Sequence, residues 1–264
     1  MNVLFYIPYL YIIRTRLKAN GRLFSFILIL VLPPIYFATV LQSSFSILHL
    51  IESILGLLLI QNFYEIGYIQ NDTETIKKEQ NPTLRLDKAS LSYYEANKLR
   101  IYVTRIFFAI IISLILLILM KFSFDSFIFL ISAYLLIPLY YIYNTIRSFV
   151  NLILHFILTT IKYSAIQLLF FSTASFKIFL FSLLAYPIIN FIDRAATPRF
   201  FYTLSKYYKF NEFRVFYYFV LFLFSIVFVL NKYINYKEFY VFAYYFIYRL
   251  AIIIGVKMKK ILRN

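Results

Sequence analysis

The chain has 264 residues, of which 62% are hydrophobic and 14% charged, with a mean hydropathy of +0.78. That balance excludes a soluble globular domain and makes the bilayer the solvent for most of the chain, while the lack of cysteine excludes disulfides, thiolate metal sites and cysteine nucleophiles. A net charge of +16 invites nucleic acid as a partner, but the cations gather in connections on one side of the membrane, so the charge reads as a topology signal and an attraction to anionic lipid headgroups, with no nucleic-acid partner expected.

From the N-terminus, Val3 to Ile13 is apolar and aromatic, and its cations Arg14, Arg16, Lys18 and Arg22 follow that run. A cleaved signal peptide has the reverse order, so residues 1–22 are expected to form an interfacial segment lying on the membrane surface. Apolar stretches of about 18–25 residues then predict eight spans, at 24–42, 46–68, 101–120, 126–145, 148–172, 175–192, 213–231 and 239–256. The expected fold is all-α, a polytopic membrane helical bundle forming a single domain over residues 1–264. With the N-terminus inside, twenty cations fall on the inner face, and the outer face holds Lys121, Lys177, Lys232 and Lys237. This positive-inside asymmetry and the even span count place both termini in the cytosol.

Connections on the outer face are short (43–45, 121–125, 173–174 and 232–238), whereas two on the inner face, 69–100 and 193–212, are long and charged. Structural turns need only a few residues, so the length marks these two loops as the functional ones. Each follows an even-numbered span and opens with an acid, Asp72 or Asp193, a weak internal repeat of the kind that places a binding site between two halves.

The first loop opens with the polar run Asn71 to Arg85, NDTETIKKEQNPTLR. If the second span continues as a helix, seven residues turn about 700°, so Asp72 and Glu79 share a face roughly 10 Å apart along the axis. Thr75 lies between them, Asn71 lies beside Asp72, and Glu74 points about 200° away. Two carboxylates so placed suit Mg²⁺, which takes one or two carboxylates together with substrate phosphate. Lys77, Lys78 and Arg85 then supply cations for the phosphate oxygens.

Asn71-Asp72, Glu79, Asn81-Pro82-Thr83 and Arg85 at the end of the second span resemble the first aspartate-rich motif, NDxxDxxxD followed by NPxxR, of the UbiA superfamily of intramembrane prenyltransferases. Glu79 stands for the last Asp and Thr75 for the middle one. The second motif, DxxxD after the sixth span, is matched by Asp193 alone, with Asn190 one position out of register and Ile189 where the earlier Asp belongs. The resemblance implies a bundle of eight to nine helices around a central cavity. In it, Mg²⁺ on Asp72, Glu79 and Asp193 holds a diphosphate, and Asn71, Lys77, Lys78, Arg85, Asn190, Arg194 and Lys206 bind substrate. It also implies transfer of a prenyl group from an isoprenoid diphosphate to an acceptor. A branch of the family uses phosphoribosyl diphosphate as donor and a polyprenyl phosphate lipid as acceptor. The rival from another class is a non-catalytic or transport-type polytopic protein with lipid-binding basic loops.

Elsewhere, Glu65 falls within the second span, where it lines the cavity or pairs with Arg105 of the third. Arg147, Lys162 and Arg249 read by default as snorkelling cations. His49 and His155 have no ligand-spaced partner and read as structural. Pro33-Pro34 and Pro138 read as kinks.

Overall fold

The computed structural model describes residues 2–19, 21–41, 45–79, 82–146, 148–170 and 176–261; Asn81, Arg147, Arg263 and most of the connections expected at 43–45 and 173–174 lie outside them. The described residues are helical with no strand, and eight of their helices are long and apolar enough to cross a membrane. The chain is thus an all-α polytopic membrane protein. The spans are Arg22–Leu41, Ile47–Lys78, Lys88–Leu119, Phe124–Thr145, Val150–Phe170, Phe176–Ala195, Phe210–Leu230 and Tyr236–Val256. These coincide with the eight hydrophobic stretches, the second extending ten residues and the third beginning thirteen earlier than their apolar cores. The helices gather into two compact units, Met1–Phe176 and Lys177–Asn264.

The first unit begins with a short 3-10 turn, Val3–Phe5, and helix α1, Leu10–Thr15. The first span joins α2 (Arg22–Phe26) to α3 (Leu32–Tyr36) through a wide π-type turn at Ile27–Val31 and ends in a second one at Phe37–Leu41. Pro33 and Pro34 lack N–H groups, so the carbonyls four residues earlier lose their helical donors and the backbone widens around them. The long α4, Ile47–Thr73, is capped by the Ser46 hydroxyl, which accepts from the His49 N–H. At 1.5 Å per residue its 27 residues span about 40 Å, more than a hydrocarbon core of roughly 30 Å.

Around α4 pack α5 (Lys88–Leu119), α6 (Phe124–Tyr134), α7 (Leu136–Thr145) and α8 (Val150–Ser164), the last continued by a 3-10 turn at Ala165–Phe170. The core they share includes Leu59, Ile60, Phe63, Phe129, Leu136 and Ile166. Pro138 explains the break between α6 and α7, since its ring clashes with the carbonyl of Tyr134. Asn97 bends α5 (φ −126°, ψ 16°) as its side-chain amide donates to the Tyr93 carbonyl. Gly67 lets the Tyr140 ring lie directly on the α4 backbone, where a Cβ would come within 2.3 Å of it. Asn144, one turn along α7, donates to the Gly67 carbonyl and to Gln70 Oε1, both at 3.0 Å. Outward faces carry large apolar side chains such as Phe107, Ile118 and Ile131, as a lipid solvent requires.

The second unit holds α9 (Phe176–Ala185), α10 (Pro187–Ala195), α11 (Tyr202–Tyr207), α12 (Phe210–Leu230) and α13 (Tyr236–Ile261). Pro187 breaks the sixth span at Tyr186. The carbonyls exposed by that break, Leu184 and Ala185, accept 2.7 Å hydrogen bonds from the Tyr217 and Tyr218 hydroxyls. Antiparallel α12 and α13 are zipped by aromatic pairs, Tyr218 stacked on Tyr245 at 5.0 Å and Phe222 on Phe246 at 5.4 Å.

Candidate functional site

The last turn of α4 places Asp72 in a fully buried position, its side chain 0% exposed. A buried carboxylate at a helix C-terminus is doubly unfavourable, from desolvation and from the helix dipole, and strong donors compensate it. Arg16 grips it as a fork, Nη1 to Oδ2 at 2.8 Å and Nη2 to Oδ1 at 2.9 Å. Arg85 Nη1 donates to Oδ1 at 3.1 Å, the Tyr11 hydroxyl to Oδ2 at 3.0 Å and the Asn71 amide to Oδ1 at 3.2 Å. The Arg16 guanidinium also lies 3.9 Å from the centre of the Tyr68 ring. Burial works against the Arg16 charge, but Asp72 and the neighbouring tyrosines hold its pKa above the ordinary arginine value. Burial, then Asp72, push the Tyr11 hydroxyl well above its ordinary value, so it stays a donor.

One layer deeper, Glu65 and Arg105 form an ion pair at 2.9 Å with both side chains 0% exposed, the pairing the sequence offered as one of two readings. Arg105 also donates to Asn62 Oδ1 at 3.1 Å and to the Phe5 and Ile7 carbonyls at 2.8 and 3.3 Å, while the Ile12 N–H donates to Glu65 at 3.0 Å. The N-terminal segment, expected on the membrane surface, is thereby stitched across the α4–α5 pair, with Phe5 and Tyr11 fully buried among Ile69, Tyr94 and Ile101.

Two hollows flank α1. On one side Arg14, Thr15, Lys18, Arg85 and Ser90 line a polar pocket of about 450 Å³. Asp87 also lines it, but its carboxylate caps α5 by accepting from the Ser90 side chain and N–H, which keep its pKa below the usual carboxylate value. On the other side Tyr9, Ile13, Phe26, Ile27 and Leu57 line an apolar groove of about 270 Å³. Near Phe26, Lys162 Nζ sits 4.3 Å from the Tyr64 ring centre and 5.7 Å from that of Tyr68.

The helical face expected to join Asp72 and Glu79 is not formed. Helix α4 stops at Thr73, where the Thr73 and Thr75 hydroxyls bond back to the Ile69 and Gln70 carbonyls, and a 3-10 turn, Thr75–Lys78, follows. Glu79 comes after that turn in extended conformation (φ −95°, ψ 136°). Glu74, turned away from Asp72 as expected, binds Lys98 at 2.6 Å, Tyr94 at 2.8 Å and Lys77 at 3.3 Å. Lys77 is further paired with Glu95 at 2.6 Å, and Lys78 is exposed. Of the cations predicted to meet phosphate in this loop, Arg85 therefore stands at the carboxylate.

In the second unit Asp193, at the end of α10, accepts from the Tyr208 hydroxyl and from Arg214, whose Nε lies 2.6 Å from Oδ2. Arg194 and Arg199 lie over the Phe200 ring, at 5.6 and 5.4 Å. Burial and Asp193 raise the Tyr208 pKa above the ordinary value. Asn190 lies one turn before Asp193, and Lys206 is exposed beside Tyr202.

The donor set does not fit Mg²⁺ on Asp72, Glu79 and Asp193. Asp72 and Asp193 are engaged by guanidinium and phenol groups, Glu79 leaves the helix, and among the described residues no group of three acids or histidines is placed to hold a metal ion. Sequence reasoning missed Arg16, Tyr11, Tyr208 and Arg214. The two arginines had been counted only as topology cations, and no local pattern tells a cation that folds back onto an acid from one that faces solvent. The chain matches no family model, no curated protein and no solved structure.

Proposed function

We propose that the chain is an intramembrane transferase of the UbiA type, taking an isoprenoid diphosphate whose head lies in the basic pocket and whose tail lies in the apolar groove. The observation that carries this reading is the pairing of the two hollows beside α1, Leu10 and Arg14 lining one and Ile13, on the adjoining face of the helix, lining the other. A ligand with an anionic head and a hydrocarbon tail matches both. Arg16 keeps Asp72 as a bidentate partner, while Arg85, on a single hydrogen bond and 33% exposed, retains donors for phosphate oxygens. Arg14 and Lys18 add charge without a fixed carboxylate geometry. By the positive-inside bias this pocket opens to the cytosol.

In the reaction, the C–O bond to the diphosphate breaks and the leaving group keeps the electron pair. Arg85, Arg14 and Lys18 neutralise its developing charge. The allylic carbon is taken by a nucleophilic acceptor that releases a proton. The test is diphosphate release from farnesyl diphosphate by purified protein. Loss of one such charge-stabilising donor typically costs about 10²–10³ in rate, so Arg85→Ala should lower release on that scale. Wild-type protein that binds farnesyl diphosphate without releasing diphosphate, across a panel of aromatic and polyprenyl phosphate acceptors, defeats the transferase reading and leaves a non-catalytic amphiphile binder.

A further inference from the structure

Arg249 lies midway along α13, 5% exposed, and its Nε and Nη2 atoms meet no hydrogen-bond acceptor. The pairing of α12 with α13 places it opposite Arg214. Tyr218 stacks on Tyr245, and Arg214 and Arg249 each lie four residues away, one helical turn toward the same end of the hairpin. Two buried guanidiniums side by side repel each other and need anionic compensation.

The second unit cannot supply it. From Lys177 to Asn264 the chain carries three carboxylate side chains, Asp193, Glu212 and Glu238. Asp193 is bound to Arg214 and Tyr208, Glu212 is paired with Lys209 at 3.5 Å, and Glu238 with Lys177 at 2.6 Å while also accepting from the Asn235 N–H. Arg214 therefore has its counter-ion, and the charge of Arg249 remains. Snorkelling, the default for an arginine in a span, leaves the head in water; burial of this head excludes it.

We infer that Arg249, with Arg214 beside it, is a binding site for a phosphate group, either an anionic phospholipid headgroup or a soluble phosphate ester. A guanidinium fork with two buried, unpaired donors matches two oxygens of one phosphate. Tyr248, whose ring centre is 5.4 Å from the Arg249 guanidinium carbon, forms an aromatic wall. The site shares no residue with the Asp72 centre, and it stands whether or not the chain is a transferase.

The test is native mass spectrometry of the full chain in a phosphate-free glycoside detergent, titrated separately with phosphatidylglycerol and with inorganic diphosphate. One bound anion should weaken at least tenfold in Arg249→Met and less in Arg249→Lys, which keeps the charge but loses the fork. The same anion should be unaffected by Arg85→Ala, which separates this site from the pocket beside α1. Weakening confined to phosphatidylglycerol assigns the lipid headgroup, and weakening confined to diphosphate assigns the soluble ester. Wild type and Arg249→Met binding both probes equally, or a loss reproduced in full by Arg85→Ala, overturns the inference. Arg249→Lys provides the comparison if the methionine variant does not accumulate.

Discussion

At the scale of single residues, charge burial dominates the first unit. Glu65 and Arg105 are sealed together, and each also holds the N-terminal segment through backbone groups of Phe5, Ile7 and Ile12. Removing one partner of such a pair leaves a buried charge uncompensated, so Glu65→Ala should destabilise by about 3–5 kcal/mol, read as a lowered denaturation midpoint in detergent. The double variant Glu65→Ala/Arg105→Met should recover much of that loss, because it removes both charges. Tyr11 and Tyr208 give the molecule an alkaline limit. Their folded-state pKa values lie above the ordinary value of 10.0. Their contribution is therefore complete below about pH 10 and is lost as pH rises through the folded values. Tyr11→Phe should make the fall in stability above pH 10 shallower than in wild type, measured by thermal denaturation across pH 9–11. The sequence made Asp72 and the Glu65–Arg105 pair legible, because acids are rare in apolar spans and stand out. Arg16 stayed hidden, since its bond to Asp72 crosses 56 residues and follows from tertiary packing alone.

Among the elements, hydropathy located every span, because a bilayer demands long apolar windows whatever the packing. Helix ends followed other physics. Extending α4 on an ideal wheel overlooked Thr73 and Thr75, whose hydroxyls bond back to the preceding turn and whose branched side chains favour an ending there. Prolines were more legible: Pro33-Pro34 and Pro138 mark distortions where they were expected. The contact between α4 and α7 leaves no local sign in the sequence, since it needs Gly67 beneath the Tyr140 ring 73 residues away. Gly67→Ala must displace the Tyr140 ring, and overpacking of this kind costs about 1–3 kcal/mol. Combined with Tyr140→Ala, the penalty of Gly67→Ala should largely vanish, a non-additivity that a double-mutant cycle reads directly. Equal penalties in both backgrounds would contradict that contact.

For the whole molecule, an all-α membrane protein carries two separate centres of buried charge, one around Asp72 and one around Arg214 and Arg249. In the first, the N-terminal segment divides a basic pocket from an apolar groove and supplies side chains to both. The resemblance in Asn71 to Arg85 put a metal on Asp72, Glu79 and Asp193, a chemistry that the folded donor set does not fit. The central claim is that this end of the molecule recognises head and tail together. The most direct measurement is the thermal shift of wild type and Arg85→Ala with farnesyl diphosphate, inorganic diphosphate and farnesol. A ligand at a hundred times its dissociation constant stabilises by about 2.7 kcal/mol. Farnesyl diphosphate should approach that shift in wild type, exceed either fragment alone, and lose most of its effect in Arg85→Ala. Equal shifts for farnesyl diphosphate and inorganic diphosphate, or an Arg85→Ala protein that responds like wild type, would contradict the account.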